Sequence, residues 1–154
     1  RLTMPDYTAK IERAMLLRRV PLFADLSSDD LVHLAESVEE RVHDAEDIVF
    51  REGDPGDSLY VVATGGCVVE REGAVVARLG THDVFGDLAV LDHAPRSATI
   101  RCTEASRLLV VRGVDLEELV ANRPAASRAL LRVLARRLRN AMNAPTIVRD
   151  SLSG

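Results

Sequence analysis

The stretch FGDLAVLDHAPRSAT, Phe85 to Thr99, decides the fold that we predict for this chain. A glycine that permits a close turn is followed by a carboxylate and a short apolar helical turn, and a Pro-Arg pair then enters a β-branched run. Free N–H groups at the start of a short helix attract an anion, and an arginine offers a planar fork of donors to phosphate oxygens. We therefore predict a phosphate site formed by Gly86, Arg96 and the backbone N–H groups of Leu88 and Ala89.

Asp87 has a different predicted role, because a carboxylate would repel a phosphate. It is better suited to accept a hydrogen bond from a sugar hydroxyl, and a phosphate next to a ribose indicates a nucleotide. Ser97 can donate its hydroxyl to a phosphate oxygen. The plainer alternatives are a surface Arg96 paired with Asp92, a turn glycine at position 86 and a serine on a strand face.

A second motif precedes this stretch. Residues 52–62 are EGDPGDSLYVV, and Gly65-Gly66 follows. In this order the two motifs resemble those of the cyclic nucleotide-binding domains of kinase regulatory subunits, gated channels and bacterial catabolite-activator-type regulators. That family's phosphate-binding cassette is F-G-E-[LI]-A-[LI], a short loop and P-R-[AST]-A-T, and Asp87 is the one departure, since it replaces a glutamate. The resemblance covers nearly the whole chain.

The resemblance implies a ligand and its contacts. The ligand would be cAMP, favoured by Ser97 after the cassette arginine, with cGMP as the second choice and no other cofactor. The sequence Ala-Arg-Arg-Leu at 135–138 is similar to a motif of the bacterial regulators and implies that Arg137 pairs with Asp87. The base would meet the last helix, where Asn140 and Asn143 are polar. The implied binding residues are Gly86, Asp87, Leu88, Ala89, Arg96, Ser97, Ala98, Arg137 and Asn140.

From Arg41 to Val111 the hydrophobic period is two, and short runs alternate with Gly, Asp and Pro clusters. This pattern predicts an antiparallel sandwich or barrel, with a turn at 54–57 and a tight hairpin at 71–73. The resemblance makes the fold a mainly β double-stranded β-helix (jelly-roll) barrel with flanking helices. The predicted strands lie within 47–50, 59–62, 67–70, 74–77, 98–101 and 107–111.

The segments before and after this region have helical periodicity. We predict one helix at 5–20 and a second, capped by Ser27, that runs to about Glu39. Two more follow Gly113, and the last extends from Ala125 to about Asn143. Its apolar stripe is Leu130, Leu131, Val133, Leu134, Leu138 and Met142. The predicted organisation is an N-terminal helical segment 1–40, a β-barrel 41–112 with the cassette 85–99, C-terminal lid helices 113–143 and a tail 144–154.

Composition limits the classes of function. The chain has 154 residues, a net charge of −4, 3% aromatic residues and no Trp, which argues against a nucleic-acid partner. No apolar run approaches a membrane span. Cys67 and Cys102 lie in separate β-branched runs and are expected to be reduced core thiols, so we expect a cytoplasmic location, either of a soluble regulator or of the cytosolic domain of a membrane protein.

Other classes need features that the sequence lacks. A metal-dependent enzyme with this barrel would need a His-x-His cluster, whereas the four histidines are scattered, and no nucleophile has a neighbouring base. We therefore predict a binding domain, excised from a longer protein, in which the ligand pulls the segment 113–143 onto the barrel and an attached effector domain responds. The alternative is a degenerate domain whose helices contact a neighbouring domain or a second copy in a homodimer.

Overall fold

The computed structural model describes residues 4–87 and 89–143, so Leu88 and the predicted tail lie outside the described residues. Helices lie on both sides of a run of strands in the chain order. The helices are α1 (Met4–Arg18), α2 (Ser28–Ala35), α3 (Ala89–Asp92), α4 (Gly113–Asn122) and α5 (Pro124–Asn143), with a 3₁₀ turn at Pro21–Phe23. The strands are β1 (Glu39–His43), β2 (Ile48–Phe50), β3 (Ser58–Thr64), β4 (Cys67–Arg71), β5 (Ala74–Leu79), β6 (Val84–Phe85), β7 (Thr99–Cys102) and β8 (Ser106–Arg112).

Two four-stranded antiparallel sheets form the β region. Their strand orders are β1-β8-β3-β6 and β2-β7-β4-β5, so strands that are distant in sequence pair within each sheet. The longest pairing joins β3 to β8, with Tyr60 opposite Val110. This arrangement confirms the predicted jelly-roll architecture of antiparallel sheets with flanking helices.

Strands β3 and β8 are buried on both faces, which explains their nearly continuous apolar sequences. Alternate residues of β3, such as Leu59 and Val61, belong to a cluster shared with α1, α2, α4 and α5. The residues between them, such as Tyr60 and Val62, pack instead against Phe85 and the second sheet. One sheet therefore has the helices on its outer face and the binding cassette at its inner edge.

Helix α2 begins after a capping serine and ends earlier than predicted. Ser27 caps α2, since its hydroxyl accepts a hydrogen bond from the N–H of Asp30 at 3.1 Å. The prediction that this helix runs to about Glu39 was wrong. The helix ends at Ala35, the Ser37 hydroxyl donates to the carbonyl of Leu34, and Glu39 already pairs with β8.

Of the two predicted turns, one lies where it was predicted and the other lies earlier in the chain. The hairpin between β4 and β5 is as predicted, because Glu72 and Gly73 both have positive φ, at 51° and 81°. The turn predicted at 54–57 lies earlier, where the N–H of Asp54 donates to the carbonyl of Arg51. Gly56 is therefore not a turn residue.

Helix α5 buries only part of its predicted stripe. Leu130 and Val133 are buried. In contrast, Leu131, Leu138 and Met142 are 62%, 63% and 68% exposed. A helix with this many apolar residues has more of them than one packing face can cover. The apolar stripe of α5 is therefore only partly covered by the rest of the domain.

Candidate functional site

A cavity of about 390 Å³ opens between the cassette and the sheet that contains β4 and β7. One wall is apolar and the other consists of cassette residues. The apolar wall comprises Phe50, Val69, Leu79, Val84, Phe85, Ala98 and Ile100, with Arg71 at its edge. The cassette wall comprises Gly86, Asp87, Ala89, Asp92, Ala94, Pro95, Arg96 and Ser97.

Arg96 is the buried cation of this cavity, with only 6% of its surface exposed. Its Nη2 donates to the carbonyl of Ser58 at 2.9 Å, and its guanidinium carbon lies 4.1 Å from the centre of the Phe50 ring. Its Nε and Nη1 have no hydrogen-bond partner among the described residues. Burial lowers the pKa of Arg96 from its ordinary value. The plainer alternative, a surface arginine paired with Asp92, is therefore not what the structure contains.

The second motif holds the backbone of Arg96 in place. The N–H of Arg96 donates to the carbonyl of Asp54 at 2.7 Å, and the N–H of Gly53 donates to the carbonyl of Arg96 at 2.8 Å. A Cβ added to Gly56 would lie 2.8 Å from the carbonyl oxygen of Ala94 and 2.9 Å from the Cβ of Ala89. The motif at 52–62 thus supports the cassette by two backbone hydrogen bonds and by close packing.

Gly86 permits the approach of Arg96 to the cassette. Its φ is +73°, which favours glycine, and an added Cβ would lie 2.6 Å from Nη1 of Arg96. The short apolar helical turn predicted after Gly86 and Asp87 is helix α3, which starts at Ala89 and has four residues. His93 ends α3 with a φ of 55° and donates its N–H to the carbonyl of Ala89.

Asp87 lies at the side of the cavity nearest to α5. Its Oδ2 lies 2.9 Å from Nη2 of Arg137, and the two side chains form the ion pair that the resemblance implied. The two side chains are 26% and 33% exposed, so water partly screens the pair. This ion pair joins the cassette to the last helix.

A second ionic contact joins α5 to Asp25, which precedes α2 and is not among the residues that line the cavity. Asp25 accepts from Arg136 at 3.0 Å, and Arg132 lies 3.6 Å from the same oxygen. The hydrogen bond from Arg136 lowers the pKa of Asp25. Consecutive arginines of α5 therefore contact different parts of the protein.

The structure brings most of the predicted residues together. Ala89 and Ser97 line the cavity together with the buried Ala98. Asn140 is exposed on α5 and is not among the residues that line the cavity. The sequence prediction missed Phe50 and Arg71, although the period of two along β4 places Val69 and Arg71 on the same face.

Among the described residues, no group of three or more His, Cys, Asp or Glu side chains is placed to hold a metal ion. No helix in residues 4–87 and 89–143 has the length and hydropathy needed to span a membrane. Cys67 and Cys102 are buried free thiols whose sulfur atoms lie 3.7 Å apart.

Comparison with known proteins identifies the family. The family model described as "Cyclic nucleotide-binding domain" matches residues 40–123, and the chain belongs to that family. A putative potassium channel protein of Rhodopseudomonas palustris is 34% identical over 131 residues, which are 83% of this chain and 32% of that protein. An uncharacterised NTE family protein of Mycobacterium tuberculosis is 35% identical over 139 residues, 90% of this chain and 24% of that protein.

A regulator and two solved structures complete the comparison. A CRP-like cAMP-activated global transcriptional regulator of M. tuberculosis is 30% identical over 133 residues, 83% of this chain and 59% of that protein. The N-terminal domain of a transcriptional regulator from Streptomyces coelicolor has a TM-score of 0.78 and 38% identity, and the match covers 83% of this chain and 93% of that domain. Thermus thermophilus catabolite activator protein has a TM-score of 0.63 and 31% identity over 79% of this chain and 59% of its own. The chain is thus a cyclic nucleotide-binding regulatory domain that spans only a part of these curated relatives.

Proposed function

We propose that this domain is a cAMP sensor whose ligand-binding state is transmitted through α5 to an effector domain. The observation that carries the proposal is the guanidinium of Arg96. It is buried in the cavity wall with two N–H-bearing nitrogens, Nε and Nη1, that no described residue engages. Burying a cation whose N–H donors have no acceptor costs free energy, unless an anion binds and accepts their hydrogen bonds. A cyclic phosphodiester supplies one negative charge and two free oxygens.

The phosphate would lie between Arg96, the backbone at Gly86 and Ala89, and the Ser97 hydroxyl. These groups line one side of the cavity, and the close contact of Gly86 with Arg96 leaves no room for a side chain there. The two free oxygens of the phosphate would accept hydrogen bonds from Arg96 and from free backbone N–H groups. Leu88, which was expected to contribute its N–H, lies outside the described residues.

Asp87 would accept the ribose 2′-hydroxyl. The carboxylate has two oxygens, so it can keep its ion pair with Arg137 and still accept a hydrogen bond from the ribose. Its side chain is one methylene shorter than that of glutamate. We expect either a small movement of the cassette towards the ribose or a bridging water.

The adenine would lie against the apolar wall of the cavity. Ser97 favours cAMP by resemblance, and the mycobacterial relative named as a cAMP-activated regulator supports that choice. Asn140 is exposed and would reach the base only if α5 moved towards the cavity.

Helix α5 would report the bound state. It contacts the cassette through Arg137 and the segment before α2 through Arg136, so a ligand that moves Asp87 also changes the helix position. A ligand shifts such an equilibrium only by its difference in affinity for the two states. The relatives that share this domain include a channel and transcriptional regulators, which supports an effector elsewhere in a longer parent protein. We propose no catalytic role for the domain, and the cytoplasmic location stays a prediction.

A second candidate is a domain that acts only as a protein interaction module. The exposed apolar side chains of α5, Leu131, Leu138 and Met142, favour this candidate or a homodimer through that helix. It predicts that nucleotides do not bind.

Calorimetric titration of the purified domain with cAMP and with cGMP tests the proposal. We expect micromolar or tighter binding of cAMP. Substitution Arg96→Ala should weaken it by about 2–5 kcal/mol, on the order of tens to thousands of fold, because a desolvated anion would lose its partner. The exposed Arg78→Ala is the matched control. A folded, ligand-free domain that gives no heat with either nucleotide would overturn the proposal and favour the interaction module.

A further inference from the structure

The cavity contains a second arginine that neither sequence motif includes. Arg71 is the last residue of β4, and its side chain is half-buried at the edge of the apolar wall, with its Nε shielded from solvent. We propose that Arg71 contacts the purine base and allows the domain to accept cGMP as a second ligand. This inference rests on the proposed function and concerns the selectivity of the same cavity.

The strand register places Arg71 beside the base-binding wall. Residues of β4 alternate in direction, and Val69 of the same strand lines the cavity as Arg71 does. In the pairing with β7, Val69 lies opposite Ile100 and Glu70 opposite Thr99. Continuing this antiparallel register places Arg71 beside Ala98, which also lines the cavity. Arg71 therefore borders the apolar wall through neighbours on its own strand and on the next.

The distribution of polar groups around the cavity supports the assignment to the base. Among the described lining residues, the charged or hydroxyl-bearing side chains other than Arg71 all belong to the cassette, between Asp87 and Ser97. Those groups suffice for a phosphate and a ribose. The remaining wall is apolar and fits the faces of a purine, so the base would meet one hydrogen-bonding side chain, that of Arg71.

The chemistry of a guanidinium discriminates between the two purines. Arginine carries five N–H donors and no acceptor. Guanine presents two acceptors, O6 and N7, on one edge, whereas adenine presents the N7 acceptor beside the N6 amino donor. A guanidinium can therefore donate twice to guanine and only once to adenine, where it also faces a donor. Arg71 would consequently raise the affinity for cGMP relative to cAMP.

Competition titrations with three ligands test this inference. Cyclic inosine monophosphate is the third, because it has the O6 and N7 acceptors of guanine without the 2-amino group. We expect Arg71→Leu to weaken cGMP and cyclic inosine monophosphate by about tenfold and to change cAMP less than about twofold. Arg71→Gln should favour cAMP over cGMP still more, since an amide can donate to N7 and accept from N6 of adenine. Arg78→Gln, on the exposed face of β5, is the control, and thermal melting verifies that each variant is folded.

The possible results separate this inference from the proposed function. If neither nucleotide binds to the native domain, the proposed function fails and the inference fails with it. If both bind and Arg71→Leu weakens all three ligands equally, Arg71 contacts the phosphate, and the inference is overturned while the proposed function stands. Unchanged affinities for all three ligands also overturn the inference, because Arg71 then lies outside the ligand contact.

Discussion

Nη2 of Arg137 lies 2.9 Å from Oδ2 of Asp87, and this pair is the direct ionic contact between α5 and the cassette. The carboxylate that we assign to the ribose is therefore also the one that joins the cassette to the last helix. A sugar hydroxyl and a helix that share one carboxylate affect each other, because any movement of Asp87 changes both distances.

The first prediction concerns this shared carboxylate. We expect Arg137→Gln and Asp87→Asn each to weaken cAMP binding by roughly three- to tenfold, because the pair is partly screened by water. The double variant should lose less than the product of the two single effects, since both remove the same interaction. Calorimetry on the four proteins measures the coupling. Arg139→Gln, at an exposed position two residues further along α5, is the control.

Additive losses in this cycle would contradict the prediction. They would mean that the two side chains contribute to binding independently. Asp87→Glu is a useful fifth protein, because the extra methylene should bring the carboxylate closer to the ribose and strengthen binding.

The second prediction separates binding from folding at Arg96. Its guanidinium is buried with two nitrogens unpartnered among the described residues, which destabilises the ligand-free protein. Replacing a buried charge by an apolar side chain of similar length is often neutral or stabilising. We expect Arg96→Met to abolish cAMP binding while the melting temperature of the ligand-free domain stays equal or rises. Differential scanning calorimetry measures this melting temperature.

A fall of the melting temperature by several degrees would contradict this second prediction. Arg96 would then stabilise the fold mainly through its hydrogen bond to Ser58 and its contact with Phe50.

The sequence predicted the strands that are rich in apolar and β-branched residues. Six of the eight strands in the described part of the chain matched predicted runs, because apolar and β-branched residues dominate them. Strand β1 was missed, since all but the last of its residues are exposed and three of the first four are charged or polar at an edge of the sheet. Its pairing with β8 is a long-range interaction that local periodicity does not encode.

The candidate site was predicted as far as contiguous motifs extend. Gly86, Arg96 and Ser97 lie together as the cassette implies, and Asp87 pairs with Arg137 as the resemblance implied. Of the apolar wall, only Phe85 and Ala98 belong to the predicted cassette. The other wall residues come one or two at a time from β2, β4, β5, β6 and β7, and only the strand register brings them together. The supporting role of Gly56 was equally hidden, since it depends on contacts across about 35 residues of sequence.

The third prediction uses two glycines that differ in their surroundings. Gly56 has ordinary φ, but an added Cβ would lie 2.8 Å from the carbonyl oxygen of Ala94 and 3.1 Å from Nε of Arg96. Gly80 also has ordinary φ, and nothing lies within 4 Å of its added Cβ. We expect Gly56→Ala to displace the cassette, weaken cAMP binding by about tenfold and cost about 1–3 kcal/mol of stability. Gly80→Ala should leave both unchanged.

Equal behaviour of the two alanine variants in calorimetry and thermal melting would contradict this third prediction. Close packing at Gly56 would then have no part in placing Arg96.

The fourth prediction concerns the thiols between β4 and β7. Burial, assisted by the neighbouring Cys102, raises the pKa of Cys67 from 9.0 to about 12. The thiolate is the reactive form, so we expect negligible reaction with an aromatic disulfide reagent at pH 8 in the folded domain and reaction of both cysteines after unfolding.

The same difference in pKa between the folded and unfolded states makes the free energy of unfolding depend on pH. Between pH 9 and 12 the folded protein keeps the Cys67 proton that the unfolded chain loses, so the free energy of unfolding decreases as pH rises through this window. Below pH 9 the contribution is fully present. Other groups titrate there too, and the difference between the native domain and Cys67→Ala isolates this contribution. Denaturant titrations at pH 8, 9 and 10 should give a smaller decrease for Cys67→Ala, and parallel decreases in the two proteins would contradict the assignment to Cys67.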